Sequence, residues 1–321
     1  MLNKSNLLKL SVVLAMSVVT FGAYTRLKDA GLGCPDWPGC FGQAYVSKDV
    51  IESDKAWIEM LHRYIAGTLG LLIFYLGWYF RQAPPRQRNL TYFLCGLVIF
   101  QAMLGMWTVT KRLYPVVVMA HLLGGLSIVS LLWFLHETTK DKSQPKLKST
   151  KPTSSYLSGF AYLVLTLLIT QIVLGGWTSA NYAAVACNGF PTCNNSWWPK
   201  MNWQEAFNFI NSGIFDSPGQ HLSNIAKVTI HMAHRLGALI LSIAIFIFSG
   251  WLYLTEIKKL RQLSIFLIAL LALQLIFGVS NVLAGLPISV AVLHNAMAAI
   301  LLLTLISILT ILHEQPSSRN Y

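Results

Sequence analysis

The sequence is poor in charged residues. Of its 321 residues only 11% are charged, Asp and Glu together number 12, and 55% are hydrophobic, with a mean hydropathy of +0.55. Soluble globular domains carry about 25% charged residues. A soluble fold is therefore excluded, and the composition is that of a protein that crosses the membrane several times.

Long apolar runs are abundant instead. A helix needs roughly 20 apolar residues to cross about 30 Å of hydrocarbon, and such runs predict eight spans. The first could be a cleaved leader, but its end, residues 22–25, is similar to residues 175–178 at the end of the fifth span, which a leader has no reason to match. The spans are predicted near residues 7–27, 59–80, 90–109, 115–136, 158–180, 227–254, 263–284 and 288–312.

The net charge of +12 does not indicate a nucleic-acid partner, because Lys and Arg lie at helix ends and in connections rather than on one face. More than half of them fall in segments that share a side with the N-terminus. By the positive-inside rule, both termini are predicted to be cytoplasmic and the cysteine-containing loops to face outward.

The chain contains an internal repeat. A linker rich in Lys, Ser, Thr and Pro covers residues 140–155. Equivalent residues on its two sides are 153 positions apart in the first span of each half and in the cysteine loops, and 172 or 173 apart in the later helices. We expect two pseudo-symmetric four-helix bundles with boundaries at 1–139, 140–156 (a cytoplasmic linker) and 157–321. The paired positions are Cys34 and Cys187, Cys40 and Cys193, His62 and His234, and His121 and His294.

The four repeated histidines are candidate metal ligands. His62, His121, His234 and His294 each stand near the outer end of a span, so they are predicted to lie at one depth. One such histidine would more often bond to a neighbouring helix, but four at repeat-equivalent places favour ligation.

Imidazole binds haem iron, zinc and copper alike. Two histidines per site, with no third ligand at that depth and an apolar surrounding, favour a haem between two axial ligands. The inner ends of the second and sixth spans lack histidines, which excludes a second haem layer. The remaining histidines, His136, His313 and His221, are predicted to be interfacial.

The repeat is broken beside two of these histidines. Glu59 precedes His62 by one turn, whereas His231 has that place before His234 and its role stays open. Glu59 is a candidate general base or a stabiliser of positive charge; the alternative is a boundary glutamate in water. Arg63 and Arg235 are candidates for binding haem propionates, and interfacial snorkelling is their alternative.

The cysteine pairs Cys34–Cys40 and Cys187–Cys193 lie on loops predicted to face outward, where disulfides persist. Closing so small a loop stabilises by roughly 2 kcal/mol, so a structural staple is favoured over thiol redox chemistry. Five intervening residues do not match the usual zinc spacing. Cys95, inside a helix, is predicted to serve packing.

Three segments carry a resemblance to a known family. Residues 22–27 read GAYTRL, residues 31–42 read GLGCPDWPGCFG and residues 59–64 read EMLHRY. Together they strongly resemble the haem A synthase family. The likeness extends through His121, His234-Arg235 and His294, so it covers both halves and all eight spans.

The resemblance implies oxidation of the C8 methyl group of haem O to a formyl group, which gives haem A for terminal oxidases. It implies that His62 and His121 hold haem O as the substrate with Glu59 in the chemistry, and that His234 and His294 hold a resident haem B. Further implied are a bacterial plasma membrane location, an electron acceptor of open identity, haem O synthase as a supplier and a possible homo-oligomer. A b-type cytochrome that only transfers electrons and a haem transporter or chaperone are the alternatives.

Overall fold

The structure is a computed structural model and describes residues 3–44, 54–140, 155–209 and 222–314. Within these residues it is helical, without strands. Eight helices are long and apolar enough to cross a membrane, which confirms the predicted number of spans. In chain order the helices are α1 (Lys4–Leu27), α2 (Asp54–Tyr79), α3 (Pro85–Thr110), α4 (Pro115–Thr139), α5 (Ser155–Ala180), the short α6 (Trp203–Ala206), α7 (Asn224–Tyr253), α8 (Lys258–Leu283) and α9 (Ile288–Glu314).

Six of the eight spans begin three to five residues before the predicted apolar stretch. The reason is that the first turn of a helix tolerates polar residues and caps, which hydropathy does not register. The side chain of Asn3 accepts from the backbone N–H of Ser5 at 2.7 Å and so starts α1. Proline stands at the first position of α3, where its missing N–H costs nothing.

The long helices form two rings of four, as predicted. In the first half, α1 and α3 each pack against α2 and α4; in the second half, α5 and α8 each pack against α7 and α9. The halves meet where α4 packs on α9, flanked by the pairs α1–α9 and α4–α5. In the repeat, α1 corresponds to α5 and α4 corresponds to α9, so the two flanking pairs are equivalent to each other. A pseudo-two-fold axis therefore runs between α4 and α9.

Helix α9 is the most buried span. Of the residues in its most apolar stretch 61% are buried, compared with 17% to 33% for the other spans. The reason is its position, since it packs against α8 and α5 of its own half and against α1 and α4 of the other half.

The densest apolar packing lies in the half of each bundle away from the cysteine loops. In the first half it includes Leu8, Leu76 and Leu132, and in the second Ile245 and Leu305. All are fully or almost fully buried. The four histidines lie at the opposite end of the bundles, near the cysteine loops.

The predicted linker lies almost entirely outside the described residues, and so does the C-terminus beyond residue 314. The domain boundaries at 139 and 157 therefore stay predictions.

Candidate functional site

Each of the four histidine rings lies against a glycine of a neighbouring helix. A Cβ atom built on Gly22 of α1 would stand 3.0 Å from Cε1 of His62, and one on Gly175 of α5 would stand 3.0 Å from Cε1 of His234. The remaining two rings are seated in the same way, and 3.2 Å is the corresponding distance for the pairs Gly105–His121 and Gly278–His294. Any larger residue would push on the ring, so the glycines fix where the imidazoles lie.

The imidazoles of the second half have polar partners. Nδ1 of His234 lies 3.0 Å from Nε2 of Gln171, and Nδ1 of His294 lies 3.2 Å from the carbonyl oxygen of Gln274. A bond from the second nitrogen of a histidine to a carbonyl orients imidazole ligands in metal sites, and the contact of His294 is of this kind, whereas Nδ1 of His234 faces an amide nitrogen. These histidines are therefore held by hydrogen bonds as well as by packing.

The imidazoles of the first half lack such partners among the described residues. Nδ1 of His62 and Nδ1 of His121 are both buried without a hydrogen-bond partner there. One reason is visible in the sequence, because Val18 stands at the repeat position of Gln171. Gln101 reaches the backbone carbonyl of His121 at 2.6 Å rather than its ring.

The ring centroids of His234 and His294 are 6.5 Å apart. Metal–imidazole bonds are about 2 Å long, so two rings that share one ion have centroids about 6 Å apart. In the described part of the chain no group of three or more His, Cys, Asp or Glu is placed to hold a metal ion. Two imidazoles without further ligands fit a haem iron better than a bare zinc ion.

His62 and His121 line a cavity of about 620 Å³. This volume lies within the range of about 300–1,000 Å³ that is usual for ligand sites. Trp37 and Pro38 from the first cysteine loop close it at one end, and Asn295 of α9 reaches it from the second half.

Both predicted disulfides are confirmed. The Cα atoms are 5.0 Å apart in Cys34–Cys40 and 4.8 Å apart in Cys187–Cys193, within the usual range. Cys95 is half-buried, with its Sγ 3.6 Å from the carbonyl oxygen of Ile73, which agrees with a packing role.

Each cysteine loop is clamped by an arginine. Arg63 donates to the carbonyl oxygens of Asp36 at 2.9 Å and Gly39, and Arg235 donates to the equivalent carbonyls of Gly189 at 2.9 Å and Thr192 at 3.1 Å. Both guanidinium groups are thus used by the loops. Nε of Arg235 is buried and unpartnered among the described residues, and binding of propionates by Arg63 and Arg235 stays a prediction.

Glu59 is buried, with 4% of its surface exposed, so the alternative of a boundary glutamate in water is wrong. Its Oε1 pairs with Nη2 of Arg63 at 2.5 Å, and its Oε2 accepts from the backbone N–H of Cys34 at 2.8 Å. The carboxylate therefore links α2 and the Arg63 clamp to the first cysteine loop. It also lines the cavity. His231, at the same repeat position, is equally buried, and its Nδ1 lies 3.2 Å from the carbonyl oxygen of Ala183.

Two further residues of the site went unassigned in the sequence. Arg26 lines the cavity, stacks over the ring of Tyr182 and donates to the carbonyl oxygen of Ser179 at 2.9 Å, which ties α1 to α5. Asp36 accepts from the backbone N–H groups of Gly42 at 2.7 Å and Phe41 at 2.8 Å, and these bonds hold its pKa below the ordinary value. Arg26 belongs to the GAYTRL segment, and the resemblance of that segment to the family could have indicated a role for Arg26 in the site.

The remaining histidines differ from one another. His136 is buried beside the Trp133 ring, with 5.5 Å between the ring centroids, because the end of α4 packs inside the protein. Its interfacial depth stays a prediction. His313 is exposed and contacts the hydroxyl of Tyr162. The prediction for His221 lies outside the described residues.

Comparisons with known proteins agree along nearly the whole chain. The family model COX15-CtaA, described as cytochrome oxidase assembly protein, matches residues 5–306. The chain is 41% identical to a heme A synthase of Shewanella oneidensis, with 98% of each chain covered. It is also 26% identical to a heme A synthase of Halalkalibacterium halodurans, with 92% of each chain covered, and 25% identical to one of Neorickettsia sennetsu, over 95% of this chain and 97% of the relative.

Proposed function

The chain belongs to the COX15-CtaA family of cytochrome oxidase assembly proteins, and from this premise we infer that it is a haem A synthase, a membrane enzyme that oxidises haem O. The observation that carries this function is the pairing of two unlike histidine sites in one chain. One site has an open cavity with a buried carboxylate at its wall, and the other has two imidazoles at the spacing of axial ligands.

The first half binds the substrate haem O between His62 and His121. The cavity of about 620 Å³ supports this assignment, and so do the two buried imidazole nitrogens without a partner among the described residues. A site that exchanges its ligand needs room, and the first cysteine loop lines this room at one end through Trp37 and Pro38.

The second half holds the resident cofactor haem B between His234 and His294. Their 6.5 Å spacing and the contacts of both Nδ1 atoms support it. The buried Nε of Arg235 is a free donor for a propionate. When bound, haem B supplies a redox centre that takes up and passes on single electrons.

Glu59 acts on the substrate site. With water as the source of oxygen, conversion of the C8 methyl group to a formyl group adds one oxygen atom, passes four electrons to the electron acceptor and releases four protons, so a group that accepts a proton or stabilises positive charge is needed beside it. Glu59 is on the same helix face as His62 at a spacing of three residues and lines the same cavity. Arg63 and the N–H of Cys34 hold its carboxylate in place.

The cellular setting follows from the charge distribution and the relatives. The protein lies in a bacterial plasma membrane with both termini cytoplasmic and both cysteine loops outside. Haem O synthase supplies its substrate, a separate electron acceptor reoxidises it, and association with further copies of the chain is part of the proposal.

The test is to produce the protein in cells that make haem O, extract the haems and separate them by chromatography. We expect haem A to appear only when the protein is present. Haem B alone, with haem O unconverted, would contradict the enzyme and favour an electron-transfer cytochrome.

A further inference from the structure

The cavity of the first half extends to the side of the bundle between α2 and α3. Its lining there consists of small residues, Gly67 and Gly70 on α2 and Ala102 on α3. Gly67 and Ala102 are exposed, and a Cβ atom on Gly67 would meet nothing within 4 Å. At the rim, Phe74 is 47% exposed and Ile99 is 53% exposed. This cleft, lined by residues 67, 70, 74, 99 and 102, faces the hydrocarbon of the bilayer.

The second half carries larger side chains at two of the equivalent positions. Leu239 stands where the first half has Gly67, and Leu275 stands where it has Ala102. Both leucines point outward, 59% and 41% exposed. At the position of Ile99 the order is reversed, since the second half has Ala272 there, so the larger volume of the second half rests on the two leucines.

The small residues lead to a ligand site rather than to a shallow lipid groove. The same cavity contains His62 and His121, whose Nδ1 atoms are buried without a partner among the described residues. Oε1 of Gln101, which also lines it, is buried and unpartnered there too. Unpaired buried polar atoms are costly and rare in folded proteins, so they indicate that a ligand belongs beside them.

The opposite end of the cavity is covered by protein, with Trp37 and Pro38 in its lining. The first cysteine loop lies over it, held by the bond from the Cys34 N–H to Glu59 and by the Arg63 clamp. Access from the aqueous side would require these bonds to break, whereas access between α2 and α3 displaces only lipid.

We propose that the cleft between α2 and α3 is a lateral portal through which the substrate enters from the bilayer, and that it holds the long isoprenoid tail of haem O. This rests on the proposed assignment of haem O to the first half. Haem B lacks the tail, and the second half, which is assigned to haem B, has leucines where the first half has Gly67 and Ala102. The portal thus selects the tailed haem for the site with the cavity.

The test transfers the leucines of the second half to the first, as Gly67→Leu, Ala102→Leu and the double variant. One methylene in an apolar pocket changes discrimination by about tenfold or more, so we expect the double variant to raise KM for haem O at least tenfold. Gly96→Leu is the matched control, since Gly96 lies exposed on α3 outside the cavity with nothing within 4 Å of its Cβ. It is expected to keep the KM of the parent protein.

Binding separates the portal from the enzyme function. Purified protein is titrated with haem O and with haem B, and the double variant is expected to lose at least tenfold of its preference for haem O. An unchanged preference and an unchanged KM would overturn the portal while leaving the synthase intact. Absence of haem A from the parent protein, with the preference for haem O present and lost in the variant, would overturn the synthase and keep the portal.

Discussion

The two halves of the molecule share a scaffold and differ in the residues around its histidines. Both have four helices, histidines seated on glycines, a disulfide loop and an arginine clamp. One turn before the first histidine, the first half has a glutamate and the second half a histidine. On the helix behind that histidine, the first half has a valine and the second half a glutamine. At the cleft, the first half has small residues and the second half has leucines. A duplicated bundle can therefore carry two tasks after few substitutions, because packing and site occupy opposite ends of it.

The carboxylate is the difference with the largest expected effect. Glu59→Gln keeps an acceptor for the Cys34 N–H but removes the charge and the proton acceptor, so haem A formation is expected to fall about 100-fold or more. Haem extraction from cells that supply haem O measures it. The absorbance of the resident haem is expected to stay unchanged.

Glu59→Ala, which also empties the position, is expected to be no more active than Glu59→Gln. A Glu59→Gln variant that makes haem A at the normal rate would refute the assigned role in proton transfer.

The glutamine behind His234 is the next difference. Gln171→Val installs the residue of the first half and removes the partner of the imidazole, which is expected to weaken retention of the resident haem by about 10-fold or more. The measurement is haem loss to an apo-myoglobin acceptor. Val18→Leu serves as a control on α1, and retention equal to that of the parent protein in Gln171→Val would contradict the role of this bond.

The arginine clamps of the two halves are expected to contribute differently to stability. Arg63→Met leaves the buried Glu59 without its ion partner, whereas Arg235→Met leaves no carboxylate behind, since His231 stands there. A charged group left unpaired costs at least about 1–3 kcal/mol, so Arg63→Met is expected to lower the free energy of unfolding by about 2 kcal/mol more than Arg235→Met. Thermal unfolding in detergent compares them, and equal losses would contradict the asymmetry.

The smallest expected effect is a difference in acid sensitivity between the loops. Asp36 has a pKa held below its ordinary value of 3.8 by the N–H of Gly42, so its bonds stabilise the first loop above that value and are lost as the pH falls through the lowered pKa. The second loop uses the amide of Asn194, which accepts from the N–H of Asn188 at 3.0 Å and does not titrate. The protection factors of the amides, which correct exchange rates for intrinsic slowing in acid, are expected to fall in acid in the first loop only, and Asp36→Asn is expected to abolish the difference.

Much of this architecture could be predicted from residue order. Hydropathy located eight spans. The spacing between Cys34 and Cys187 and between His62 and His234 identified the repeat, because a helix rises by a fixed distance per residue and equivalent residues therefore lie at equivalent depths. The loop contacts of Arg63 and the burial of Glu59 could not be predicted, because they depend on how a loop folds back over helix ends. The cleft was missed for another reason: a glycine inside an apolar span looks unremarkable until the facing helix is known.

The central claim is that each half grips one haem between its two histidines, and haem content measures it most directly. Protein purified with a haem O supply is expected to contain haem B together with haem O or its product haem A. His234→Ala with His294→Ala is expected to lose the haem B alone, and His62→Ala with His121→Ala the haem O alone. Protein without haem absorbance, or a full haem complement after both second-half histidines are replaced, would contradict the account.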